Sequence, residues 1–285
     1  MAHPQIVIFA RMAKENAAPT RVIAGQKTLL ARTMHDIRYD AVNDEILVAN
    51  PFAQAIMAFR GGAQGEEPPI RIIQGPSTQI LAQVDRLDVD TVHNEIFVPN
   101  HDQILVYPRA GNGDVAPIRV IKGPDTQLDD VESIAVDPVN NIIVVAGARP
   151  AAAPGQTGSG GQTESGGGEL ILFRRTDNGN VKPLGIIGGP RTDIVRINQI
   201  QMQPTKGWII VTQPGKYEEQ EPEGVFVGVW SIHDRGDVPP RWKLGGPKSA
   251  MKKPRGVVLN PKNKELIVAD MRLNTILTYY FPEIF

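Results

Sequence analysis

The stretch Gly113-Asp-Val-Ala-Pro-Ile-Arg-Val-Ile-Lys-Gly-Pro-Asp-Thr126, GDVAPIRVIKGPDT, decides the fold, because relatives of it recur along the whole chain. Its centre, x-Pro-x-(Arg)-x-Ile/Leu-x-Gly, returns as APTRVIAG (18–25), PPIRIIQG (68–75), APIRVIKG (116–123), KPLGIIGG (182–189) and PPRWKLGG (239–246). Four of these five run straight into a Pro followed by Thr or Ser (GPST, GPDT, GPRT, GPKS), while the first reads GQKT. A Pro there stops a strand, and the short polar residues open a turn. The period, roughly 50 residues, is that of a repeat architecture.

Each copy is followed by two apolar runs joined by a polar turn: IRYDAVNDEILVAN (37–50), LDVDTVHNEIFVPN (87–100), IAVDPVNNIIVVAG (134–147), IQMQPTKGWIIVTQ (200–213) and VVLNPKNKELIVAD (257–270). Ile, Val and Leu in alternating or continuous runs around Asp/Asn-containing centres predict β-hairpins, with Asp40, Asp90 and Asp137 capping their own turns. A third run follows: AIMAFR from 55, ILVYPR from 104, LILFRR from 170, FVGVWS from 226 and ILTYYF from 276. With the opening motif as the fourth strand, the unit is a four-stranded β-propeller blade. No amphipathic helical period competes with it.

The predicted fold is therefore all-β, a single propeller domain over 1–285 with antiparallel blades. Five blades are favoured and six are the alternative. The chain starts on a third and fourth strand and ends on a first, second and third. Closure is accordingly expected by pairing Arg21–Gly25 with Ile276–Phe281, which would remove a free sheet edge. The run Ile6–Phe9 is then surplus: it packs outside the ring, belongs to a sixth blade, or adds to a neighbouring molecule's sheet, giving self-association through the N-terminal strand.

The pattern Asp-x-x-x-Asn-x-Ile-x-Val-Ala-Asp/Asn, best seen in EILVAN (45–50) and ELIVAD (265–270), resembles the NHL and YVTN-type repeat propellers of bacteria. That resemblance implies the propeller fold. It leaves chemistry open, since such propellers serve as lactonases, lyases, hydrolases or binding platforms.

Composition narrows the functions. With 30 basic and 31 acidic side chains, no global field draws the chain to nucleic acid or anionic lipid, and aromatics at 6% offer no stacking ladder. The absence of cysteine removes disulfides, thiolate metal sites and thiol nucleophiles. MAHPQIVIFARMAKE (1–15) reads as neither a signal peptide nor a membrane span, so a soluble protein is expected and an exported mature form stays open. The five histidines form no HExxH motif, and TGSGGQTESGGG (157–168) lacks the frame of a nucleophile elbow or a phosphate loop. Arg235-Gly-Asp237 occupies the turn that reads AGNGDV and TDNGNV elsewhere, which makes it a turn rather than a recognition tripeptide.

The repeat also locates the candidate site. Five residues before the hairpin turn residues Asp40, Asp90, Asp137, Gln203 and Asn260 stand His35, Asp85, Glu132, Asn198 and Arg255. They are polar, unlike one another and equivalent in register, so they are predicted to ring the channel mouth and bind a protein or a small polar ligand. Gluconolactonase-type propellers, similar in architecture, hold a divalent metal with Glu, Asn and Asp. That likeness implies Asp85, Glu132 and Asn198 as ligands of a cation such as Ca2+ in an alternative, hydrolase reading, which Arg255 on the same ring opposes. His101 and Asp102 lie on a nearby loop. Two enlarged connections, 149–168 (Gly/Ser/Ala-rich, expected to be flexible) and 213–224, extend the same face. The leading expectation is a non-enzymatic binding or scaffold propeller, and a structural subunit of a propeller assembly is a further one.

Overall fold

A computed structural model describes residues 4–32, 34–82, 84–148, 167–215 and 224–285. Strands alternate with tight turns throughout, and helix is confined to single 3-10 turns. β3 (Asp36–Asp40), β4 (Glu45–Asn50), β5 (Ala55–Arg60) and β6 (Arg71–Ile73) form one antiparallel sheet in that order. The same order holds for β7 (Asp88–Asp90), β8 (Glu95–Pro99), β9 (Gln103–Pro108) and β10 (Arg119–Lys122). It holds again for β11 (Ser133–Asp137), β12 (Ile142–Ala148), β13 (Gly168–Arg174) and β14 (Gly185–Ile187), and for β15 (Gln199–Gln203), β16 (Trp208–Pro214), β17 (Val225–Ser231) and β18 (Trp242–Gly245). The fifth blade comprises β19 (Pro254–Asn260), β20 (Glu265–Asp270) and β21 (Thr275–Tyr280), and the chain begins with the pair β1 (Gln5–Ile8) and β2 (Arg21–Ala24). The fold is an all-β propeller of five blades.

Closure differs from the expectation. Among the described residues β2 does not join β21: it pairs with β1 in the register Gln5↔Ala24 to Ile8↔Arg21, and β19–β21 remain a three-stranded sheet. The reason lies in the run that looked surplus. QIVI is a third strand in its own right, adjacent in sequence to its fourth, and local pairing closes a far shorter loop. Its turn confirms the likeness: Glu15 adopts φ 54°, where the equivalent turns carry Gly65, Gly113, Gly179 and Gly236 at φ 62° to 77°.

By internal contacts the chain forms two compact units, Met1–Asn100 with Leu105–Ile118, and His101–Ile104 with Arg119–Phe285. In the first, Ile6 and Ile23 pack with Ile46, Val48, Met57 and Phe59. In the second, the apolar faces of β11–β14 and β15–β18 share a core that includes Val144, Leu172, Ile200, Phe226 and Trp230.

The repeated motif owes its form to two fasteners. In each Gly-x-x-Thr/Ser turn the hydroxyl donates to the glycine carbonyl, as Thr126 Oγ1 does to Gly123 O at 2.6 Å, and accepts from the backbone two residues on, as from Leu128 N at 3.3 Å. The same pair of bonds recurs at Thr28, Thr78, Thr192 and Ser249. The second fastener comes from the following blade's turn, whose Asp or Asn accepts from the 3-10 turn: Asp114 from Ser77 N, Asn180 from Asp125 N and Asp237 from Arg191 N, at 2.7–2.8 Å. Gly75, Gly123 and Gly189, at φ 129° to 138°, lie so close to those side chains that a Cβ would come within 2.6 Å of them. Asp237 of the Arg-Gly-Asp tripeptide is thus engaged inside the protein, while Arg235 donates to Ile232 O and Asp234 O.

The hairpin turns behave as their sequences predict. Asp40, Asp90 and Asp137 each accept from the two backbone N–H groups two and three residues on, at 2.8–3.0 Å. A further tie was not anticipated. A residue at or next to the end of the second strand, Asn50, Asn100, Gln213 or Asp270, bonds the backbone that leads into the first strand of the same blade.

Candidate functional site

In the first unit, His35 stands immediately before β3 and Asp85 three residues before β7. The structure brings them together: His35 Nδ1 lies 2.6 Å from Asp85 Oδ1, with side chains 45% and 37% exposed. Their backbones are held from below by one residue, since Arg86 Nη1 donates to His35 O at 2.8 Å and to Asp85 O at 3.1 Å. Leu87 N donates to Asp36 Oδ2 and Leu87 O accepts from Arg38 Nε at 2.9 Å, which locks the two blades' first strands in place.

Beneath the pair lies a layer that the repeat analysis missed. Asp36, Arg38, Arg86 and Asp88 are all buried, with Arg38 Nε 3.6 Å from Asp36 and 3.5 Å from Asp88. Burial alone would push the Arg38 guanidinium pKa down, but the two carboxylates outweigh it and hold it above its ordinary value. The layer was legible as charge alternating with apolar residues in DIRYD (36–40) and RLDVD (86–90). The rule that alternating polar positions face water hid it.

In the second unit, Glu132 immediately precedes β11, and its Oε2 is 3.7 Å from Arg196 Nη2, with Glu132 partly exposed. Asn198 precedes β15 but is buried, 3% exposed, and its N–H donates to Thr212 O at 3.0 Å. Arg255 lies within β19 rather than before it, at the irregularity between Pro254 and Gly256. A bulge of this kind re-aims the side chain relative to a regular strand. Thr212 Oγ1 ties this region together by donating to Arg255 O at 3.2 Å, and Gln199 Oε1 accepts from Val257 N at 2.5 Å. The buried polar residues next to Glu132, Asn198 and Arg255 include hydroxyls and an amide, Ser133, Thr212 and Gln199, where those next to His35 and Asp85 are charged.

Among the described residues, no group of three or more His, Cys, Asp or Glu side chains is arranged to hold a metal ion. Asp85 is engaged by His35 and Glu132 by Arg196, so the carboxylates assigned to a cation each face a basic side chain instead. His101 adopts φ 64°, its Nδ1 is 3.4 Å from Asp130, and Asp102 pairs with Lys122 at 3.4 Å, all well exposed. Of the two enlarged connections, 149–166 and 216–223 lie outside the described residues, and Gly168 already belongs to β13. No helix of the described residues is long and apolar enough to cross a membrane.

No protein-family model matches the chain, and no curated protein matches it. Among solved structures it is similar to a chain of the Kuenenia stuttgartiensis hydrazine synthase, with a TM-score of 0.55 and 12% sequence identity, over 82% of this chain and 55% of that one. The sequence therefore spans little more than half the length of that propeller protein, and the likeness is one of fold.

Proposed function

We propose that this NHL/YVTN-like propeller is a non-enzymatic binding platform. Its ligand, a small polar molecule or a polar group of a protein, would be met by His35 and Asp85 in the first unit. The observation that carries this reading is the His35–Asp85 pair. Nearly every other polar register position of the repeat is consumed in fastening the scaffold, whereas this pair stays half-exposed above a buried ionic layer. When His35 is neutral and its Nδ1 proton is shared with Asp85, Nε2 is left as an acceptor, suited to a ligand hydroxyl or amide N–H. The buried charges beneath fix the strands that carry the pair, so the ligand meets a pre-formed geometry.

The test is capture. The immobilised protein and its His35→Ala/Asp85→Ala variant would be exposed to the same cell extract, with bound peptides and small molecules quantified by mass spectrometry. The reading expects a species enriched by the parent chain and lost from the variant at unchanged melting temperature. Equal recovery by both, or no enriched species, contradicts it.

A further inference from the structure

Asn112-Gly113 and Asn178-Gly179 are the chain's two Asn-Gly pairs, the dipeptide in which a side-chain amide is least durable. Glycine carries no side chain to hinder its own nitrogen, which therefore reaches the Cγ of the preceding Asn readily in a free chain. Both asparagines are exposed, yet each pair is clamped by one residue of the preceding blade's fourth strand. Ile72 N donates to Asn112 Oδ1 at 3.0 Å while Gly113 N donates to Ile72 O at 2.6 Å. Val120 N donates to Asn178 Oδ1 at 3.0 Å while Gly179 N donates to Val120 O at 2.7 Å. The glycine carbonyls complete each clamp by accepting from Gln74 N and Lys122 N, both at 3.1 Å. The first clamp lies wholly in the first unit and the second wholly in the second. Two equivalent turns read Gln64-Gly65 and Arg235-Gly236: their glycine N–H groups donate to Val22 O and Ile186 O at 2.7 Å, but neither side chain can close a five-membered imide.

We propose that Asn112 and Asn178 are conformationally gated deamidation sites. The bonds to Ile72 and Val120 hold them silent in the native fold, and release of the fourth strand from the turn opens them to a modification that then prevents its return. In the reaction the Gly nitrogen gives up its proton to hydroxide and attacks the Asn Cγ. The N–Cγ bond forms, the Cγ–Nδ2 bond breaks, and the leaving amide takes a proton from water and departs as ammonia. Water then opens the imide at either carbonyl, giving Asp or isoaspartate. The native turn blocks the first step twice. The N–H that must lose its proton is donating to Ile72 O or Val120 O, and the side chain that must turn its Cγ toward that nitrogen is held by the N–H of the same residue. Isoaspartate carries an extra methylene in the backbone ahead of the glycine, so Gly113 N and O no longer meet residues 72 and 74 together. The Asp product keeps its acceptor oxygen and its backbone spacing, and that turn re-docks.

The test follows amide loss at each site by peptide mass spectrometry with isoaspartate detection, in mildly alkaline buffer, for folded protein and for protein in concentrated urea. In the folded parent both sites should react at least ~10-fold more slowly than in urea, because reaction waits on local opening. Two variants loosen one clamp each without touching the labile pair, since Asp114 accepts from Ser77 N at 2.7 Å and Asn180 from Asp125 N at 2.8 Å. With each rate taken relative to the same variant in urea, Asp114→Ala should speed loss at Asn112 by ~5-fold and leave Asn178 at the parent rate, and Asn180→Ala should do the reverse. After refolding, molecules with isoaspartate at 112 should keep the Gly113 and Gln74 amides open to hydrogen exchange, while those with Asp there regain protection. Equal rates in the folded parent and in urea overturn the proposal, as does a variant that changes both sites alike or neither. Full protection of Gly113 and Gln74 in the isoaspartyl product overturns it equally.

Discussion

Arg38 fastens two blades of the first unit, because it fills a buried position between two carboxylates and also bonds the backbone leading into the neighbouring first strand. Removing one partner of a buried ionic cluster strands the others, at a cost of about 3–5 kcal/mol. Arg38→Ala should therefore lower unfolding free energy by that order in a urea titration, and the further changes Asp36→Asn and Asp88→Asn should recover part of it. A second residue sets a pH dependence. Glu45 is clamped by Arg71 through two bonds of 2.6 Å and by Arg109 at 2.8 Å, and the Arg71 bonds chiefly hold its carboxyl below the ordinary range against the opposing effect of burial. A carboxylate with a depressed folded pKa contributes stability above its unfolded value, ~4.3, and loses it as pH falls through the folded value. The urea midpoint of the parent should drop on acidification from about pH 5 to pH 3, and that of Glu45→Gln should drop less. The alternation that carries Arg38 was visible in the sequence but its burial was not, and Glu45 read as an ordinary polar position of a hairpin, since a sequence shows alternation but not what covers each face.

Elements were far more legible than side chains. The hairpins, the third strands and the Pro-x-Arg-x-Ile segments all fall where the repeat puts them, because period and turn chemistry are local properties and five copies average out local noise. The Gly-Pro-x-Thr stop was seen as punctuation only. Its threonine proves to be the fastener, a fully buried side chain that satisfies a carbonyl and an N–H. Thr126→Val keeps the shape and removes both bonds, so it should cost about 1–3 kcal/mol by chemical denaturation, and Thr126→Ser should cost less. The partner of β2 was misjudged because closure was inferred from counting strands. The local turn at Glu15 between β1 and β2, with the same left-handed geometry that glycine supplies elsewhere, decides for β1.

At the scale of the molecule, repetition separates scaffold from function. Positions that recur, the capping aspartates, turn threonines and turn glycines, are spent on holding strands together. The five register positions 35, 85, 132, 198 and 255 carry unlike residues, and the sequence did not foresee that Asn198 would be buried or that Arg255 would sit at a strand irregularity. Burial of a preceding residue depends on the neighbouring blade, and a bulge depends on a local register shift, neither of which a single repeat encodes. The central claim is the proposal that binding occurs at the His35–Asp85 pair. Chemical-shift mapping on isotope-labelled protein, titrated with the species captured by the parent chain, tests it most directly. The account predicts that the His35 imidazole and the amides around 35 and 85 shift together with the titration, while those of the outer strand 71–73 stay still. Shifts confined to the outer strands, with the His35 resonances unmoved at saturation, would contradict it.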